Sequence, residues 1–146
     1  RKHLLLVLTD GKPNDVDHYE GRFALEDTRR AVSEARRRGI HVFGVTVDQD
    51  AKTYVPAVFG HHGYAVVPDI RRLPAALPQI YRDMGLMYAT GRGCPIDLVS
   101  AHKWLNIAAI KGCDRAAELR ADLAQTMSKV QLAEALRAAR EWMTMH

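Results

Sequence analysis

The spacing of apolar positions changes period along this chain. His3–Thr9 (HLLLVLT) is a short unbroken apolar run closed by Asp10 and Gly11. A run of that length, bounded by a turn signal, predicts a strand buried on both faces. A polar loop is expected over residues 12–20. From about residue 23 to 38 the apolar side recurs at Leu25, Thr28, Val32 and Ala35, the spacing of one helical face, and Gly39 supplies the left-handed position past the helix end. Residues 40–47 (IHVFGVTV) read as a second, β-branched strand, 48–50 as a loop, and 64–67 as a third, shorter strand before Pro68. Strand, helix and strand in that order predict a parallel sheet with right-handed crossovers, a partial Rossmann-like α/β arrangement of three strands with flanking helices.

After about Leu73 no strand pattern returns, and the composition shifts to Ala, Leu and Met. Asp97 is placed to cap a helix whose face is Ala101, Trp104, Leu105, Ala108 and Ala109, with Gly112 ending it. A second helix carries Ala116, Leu119, Leu123 and Met127 on one stripe. Ser128 and Gln131 have the spacing of a capping box for a last helix bearing Leu132, Ala135, Leu136, Ala139 and Met143. The chain therefore divides into an α/β segment, 1–82, and an all-α segment, 83–146. No Gly/Ser linker separates them, so the last α/β helix is expected to run into the first helix of the second segment, with Pro78 beginning or kinking it.

Charge narrows the function only a little. The 146 residues hold 21 basic and 17 acidic side chains, a net charge of +4. The densest basic run, Arg36, Arg37 and Arg38, ends a predicted helix, where positive charge complements the macrodipole. That disfavours nucleic-acid binding, which gathers basic residues with aromatics on one face. Cys94 and Cys113 lie far apart, and there is neither a secretory segment nor an apolar run long enough to cross a bilayer. The expectation is a soluble, reduced, cytoplasmic protein. A buried-strand pattern beginning within two residues of Arg1 suggests a fragment that starts in mid-fold.

Candidate chemistry is sparse. Asp10 sits at the carboxyl end of the first strand, where ligands gather in parallel α/β sheets, although an Asp before Gly is more often a turn former. Asp15, Asp17, His18 and Glu20 lack the Gly and Glu positions of an EF-hand and read as a solvated loop. His61 and His62 are adjacent, with no Cys or His at zinc-ligand spacing. Ser33, Ser100 and Ser128 fall on or at the ends of predicted helices and lack the G-x-S-x-G elbow. Gly91-Arg92-Gly93 has two glycines of a dinucleotide fingerprint but no strand leading into it.

The stretch LVLTDGKPND resembles the strand and loop of a von Willebrand factor A (VWA) domain that supplies the last Asp of its metal-ion-dependent adhesion site. LLLVLTDGKPNDVDHYEGRFALEDTRRAVSEARRRGIHVFGVTVD, continuing to YVPAVFG, is similar to the C-terminal part of the VWA domain of NorD-type nitric oxide reductase activation proteins, over about residues 1–82. The resemblance implies a water-mediated role at Mg²⁺ for Asp10, with Thr9 beside it. In that family most ligands come from a DxSxS motif and a Thr of another loop, and DxSxS does not occur in this sequence. Mg²⁺ prefers about six oxygen ligands, so this chain alone is expected to bind it weakly at most.

MGLMYATGRGCPIDLVSAHKWLNIAAIKG resembles a Sel1-like repeat, a relative of the tetratricopeptide helical hairpins. The correspondence falls on Gly85, Tyr88, Gly91, Gly93, Asp97, Ala101, Trp104, Ala108, Ala109 and Gly112. It implies close helix approach at Gly85 and the alanines, positive φ at Gly91 and Gly93, and space filling by Tyr88 and Trp104. One repeat over about 84–119 and a C-terminal capping helix are expected. Together the resemblances imply a non-catalytic accessory or protein-interaction module, with a MoxR-type AAA+ ATPase and nitric oxide reductase subunits as partners. The alternatives are a metal-dependent ligand-binding VWA protein, a Sel1-repeat adaptor of an unrelated pathway, and a hydrolase built on Asp10, Asp15 and Asp48. A first strand left without its neighbour is also expected to promote self-association.

Overall fold

The computed structural model describes residues 3–9, 18–61 and 63–146. It resolves into two compact units, Arg1–Leu73 and Pro74–His146. Asp10, Asp15, Asp17 and His62 lie outside the described residues.

The first unit is built on a three-stranded parallel sheet of order β1-β2-β3, with β1 at His3–Thr9, β2 at Ile40–Thr46 and β3 at Tyr64–Val66. β1 aligns with β2 from His3↔Ile40 to Thr9↔Thr46, and β2 with β3 from Gly44↔Tyr64 to Thr46↔Val66. Flanked on both sides, β2 is buried from Val42 to Thr46. α1 (His18–Arg37) packs on the sheet through Val32, and α2 (Val55–Phe59) adds Val55, Val58 and Phe59 to a core completed by Val42, Ala51 and Tyr54. Gly44 lets β2 and α2 approach closely, since a Cβ there would lie 2.7 Å from the Phe59 ring. The Arg36 guanidinium donates to the Phe59 carbonyl at 2.6 Å and so ties the end of α1 to the end of α2.

The three strands and the parallel order are those the pattern predicts. α1 differs, starting at His18 and not near residue 23, so part of the expected loop is helical. Once a helix is nucleated each further residue adds a bond, and no proline intervenes to stop it before the apolar stripe. Neither α2 nor the 3₁₀ turn at Gln49–Thr53 has a sequence signal, because five residues are too few to show a period.

The second unit is helical. α3 (Leu73–Thr90) runs without a break through the expected segment boundary at residues 82–83, carrying Pro78 inside it, and the compact units divide earlier, after Leu73. α4 (Leu98–Ile110), α5 (Asp114–Ala124) and α6 (Lys129–Met145) follow, joined by short turns. Leu105, Ala108, Cys113 and Ala116 form a core against which Tyr81, Ala109, Leu119 and Leu123 pack. Ser128 and Gln131 make the reciprocal capping box at the start of α6.

Candidate functional site

The carboxyl edge of the sheet is where a parallel α/β unit presents chemistry. Thr9 ends β1 directly beside Thr46 at the end of β2. The Thr9 carbonyl accepts from the Val47 amide at 3.3 Å, and the Thr46 carbonyl from the Val67 amide at 2.7 Å, so all three strands are held together at this end. Thr46 is fully buried, and its hydroxyl oxygen accepts from the Asp48 amide at 3.1 Å. The Asp48 carboxylate accepts from the Asp50 amide at 2.9 Å and from the Tyr54 hydroxyl at 2.7 Å. It thus caps the 3₁₀ turn and orients Tyr54. Thr46 and Tyr54 carried no signal in the sequence, because their roles depend on a strand end and a turn meeting in space.

Asp10, the residue assigned to the cation by resemblance, lies outside the described residues, while Thr9 is placed at the strand end. Among the described residues no group of three or more His, Cys, Asp or Glu side chains is arranged to hold a metal ion.

In the second unit the repeat-signature residues gather around the α4 hairpin. A Cβ at Gly85 would stand 2.8 Å from the Leu105 side chain and 3.1 Å from the Ala101 carbonyl, so α3 and α4 touch there. Gly91, Gly93 and Gly112 have φ of 70°, 82° and 104°, which only glycine adopts freely. The Asp97 carboxylate accepts from the Ser100 amide at 3.1 Å and the Ser100 hydroxyl at 2.7 Å, while its own amide donates to the Tyr88 carbonyl at 3.0 Å. One residue thus caps α4 and fastens it to α3. Ala101 and Ala108 are fully buried, and Ala109 packs beside them.

Trp104 stacks on Tyr81 with ring centroids 5.7 Å apart, and Trp142 meets both edge-on at 5.4 Å. The Lys103 ammonium lies 4.5 Å from the Trp104 ring centre, and burial lowers its pKa although Glu141 opposes this. Burial pushes the Tyr88 and Tyr81 hydroxyls up, so both stay neutral at ordinary pH. His102 is buried with its Nδ1 unpartnered, and burial and the Arg120 charge lower its pKa. Arg120 in turn donates to Asn106, one turn along α4 from His102. The pattern did not single out His102, Asn106 or Arg120. A helical stripe shows which positions face inward and not which polar groups meet there.

By fold the chain is a mixed α/β protein with a small parallel sheet and flanking helices. Its sequence is 67% identical to Protein NorD of Brucella melitensis over 82 residues, 56% of this chain and 13% of that protein. The same holds for Protein NorD of Brucella suis, at 67% over 82 residues and 13% of its length. Protein NorD of Stutzerimonas stutzeri is 54% identical over 69 residues, 47% of this chain and 11% of that protein. The matched stretch is NorD-like, and the chain spans 13% of the length of the first of these relatives. No family model matches the chain, and no solved structure matches it.

Proposed function

We propose that the chain is an accessory module for the activation of nitric oxide reductase that works through protein contacts and carries out no chemistry of its own. The observation that carries this is the 67% identity to proteins named NorD over 82 residues. A non-catalytic role is supported by the sheet edge, where the Asp48 carboxylate is taken up by Asp50 and Tyr54 in holding a turn. A MoxR-type AAA+ ATPase is the partner proposed for the first unit, by the VWA resemblance, and reductase subunits are the target. The second unit is proposed as a Sel1-like hairpin offering an adaptor surface. The approach of α3 to α4 at Gly85 and the Asp97 cap support that assignment. No helix among the described residues is long and apolar enough to cross a membrane, which fits the proposed cytoplasmic site of action.

The test is biolayer interferometry of the purified chain against a purified MoxR-type ATPase and reductase subunits from a denitrifying bacterium, with a full-length NorD protein as positive control. Saturable binding to either partner is expected. Binding by the full-length control and none by this chain at the same concentrations would refute the proposal for this module.

A further inference from the structure

α5 is the most lightly anchored helix of the second unit. Of its residues only Ala116 is fully buried, and Leu119 and Leu123 pack partly buried on the core that Ala116 shares with Leu105, Ala108 and Cys113. A helix of this length is marginal in isolation, so α5 depends on its seat against α4. Both of its ends are jointed, by Gly112 with a φ of 104° before it and by a turn over residues 125–127 after it.

Part of that seat is polar. α4 turns His102 and Asn106, 4% and 7% exposed, toward α5. The Asn106 side-chain oxygen accepts from the Arg120 guanidinium of α5, whereas His102 Nδ1 is buried without a hydrogen-bond partner. Arg120 is the charge that acts on the imidazole. Among the described residues Arg120 forms no ion pair with an Asp or Glu, and Glu118 of the same helix is taken up by Arg115. The charges on the other elements around α4 are engaged elsewhere. Glu141 of α6 acts on Lys103, Arg82 and Asp83 of α3 pair with each other, and Asp97 holds Ser100.

We propose that His102 is an acid-sensitive joint: when its imidazole takes up a proton, α5 lifts off α4 while α6 stays seated. The protonated ring would be a desolvated cation beside a second cation, with no carboxylate among these neighbours to neutralise it. Lifting α5 returns water to both charges and to the unpartnered Nδ1. α6 is held by a different face of α4, where Trp142 meets Trp104 and Tyr81 edge-on. Trp104 lies two positions from His102, about 200° around the helix. Opening is therefore local, and it uncovers the apolar side of α4 at Leu105 and Ala108.

Cys113 reports on the joint, because it is 5% exposed and lies at the start of α5 in the core that opening would breach. Cys94, in the turn between α3 and α4, serves as the internal control. The full chain and His102→Gln are labelled slowly with N-ethylmaleimide at pH 7.5, 6.0 and 5.5, and each cysteine is read by peptide mass spectrometry. Dividing each rate by that of His102→Gln at the same pH cancels the ordinary pH dependence of a thiol. With the released imidazole titrating near its ordinary 6.5, the Cys113 ratio should rise by up to about fourfold at pH 6.0 and about tenfold at pH 5.5, while the Cys94 ratio stays level. A Cys113 ratio that stays flat overturns the proposal. So does an equal rise at Cys94, which would mean that the whole unit opens and not the joint. Circular dichroism checks that His102→Gln folds, and proton resonance titration of the His102 ring in the unmodified chain tests the joint even if it does not. A ring midpoint below 6.5 is expected, and one at or above 6.5 overturns the proposal.

Discussion

Gly85→Ala offers a sharp test of the helical unit, since two effects of opposite sign act at that position. The added Cβ would stand 2.8 Å from Leu105 Cγ and 3.0 Å from Leu105 Cδ2, where carbon atoms settle at about 3.5–4.0 Å. Leu105 is 1% exposed and cannot swing into solvent. Overpacking of this kind costs about 1–3 kcal/mol, whereas replacing Gly by Ala inside a helix returns about 1 kcal/mol. The net expectation for Gly85→Ala is a loss of about 0–2 kcal/mol. Leu105→Ala removes the obstruction and costs about 2–5 kcal/mol by itself. In that background Gly85→Ala should become stabilising by up to about 1 kcal/mol, trimmed by the Ala101 carbonyl still lying at 3.1 Å. The coupling between the two substitutions is then about 1–3 kcal/mol. Urea unfolding followed by tryptophan fluorescence isolates the effect, because both tryptophans of the chain, Trp104 and Trp142, lie in the second unit. If the two substitutions add within about 0.5 kcal/mol, the close approach at Gly85 does not exist in solution and the hairpin geometry derived from it is wrong.

Further outcomes follow from the same contacts. Asp97→Ala removes the cap on Ser100 and should cost the second unit about 1 kcal/mol in the same fluorescence assay, with Asp97→Asn recovering most of it. His102 has a folded-state pKa below its unfolded value of 6.5, so the unfolded chain binds the proton more readily. Stability of the second unit should be complete above about pH 6.5 and decline as pH falls from there toward the lowered folded pKa. A melting temperature that does not fall on acidification through this window, relative to His102→Gln, would contradict the buried neutral imidazole. Calorimetric titration of Mg²⁺ and Mn²⁺ is expected to give no binding tighter than about millimolar, unchanged by Asp10→Ala. Micromolar binding that Asp10→Ala abolishes would instead favour a metal-dependent ligand-binding protein.

Much of the architecture was legible in the chain because the strands read as short apolar or β-branched runs and the long helices carry a helical period. The first strand is found at His3–Thr9 as read, and the second and third each end one residue sooner than the apolar pattern suggests. Asp97, Ser128, Gly39 and Gly112 marked helix ends through chemistry that acts within a few residues. Such signals are local, and local physics decides them before the chain folds. The carboxyl edge was legible only as a place. Asp10 stands beyond the described residues, and the Asp48, Tyr54 and Thr46 arrangement arises where a turn folds back on a strand end.

The sequence by itself determined the three strands, the long helices, the parallel order and the likeness to NorD over part of the chain. The tertiary structure alone decided that α2 exists, that Gly44 must leave room for the Phe59 ring, and that His102 is buried near Arg120. It also decided that, among the described strands, β2 lies between β1 and β3. The physical reason is range. Periodicity and capping act over one or two turns, whereas burial, desolvation and the pairing of strand edges depend on residues that meet only when distant parts of the chain come together.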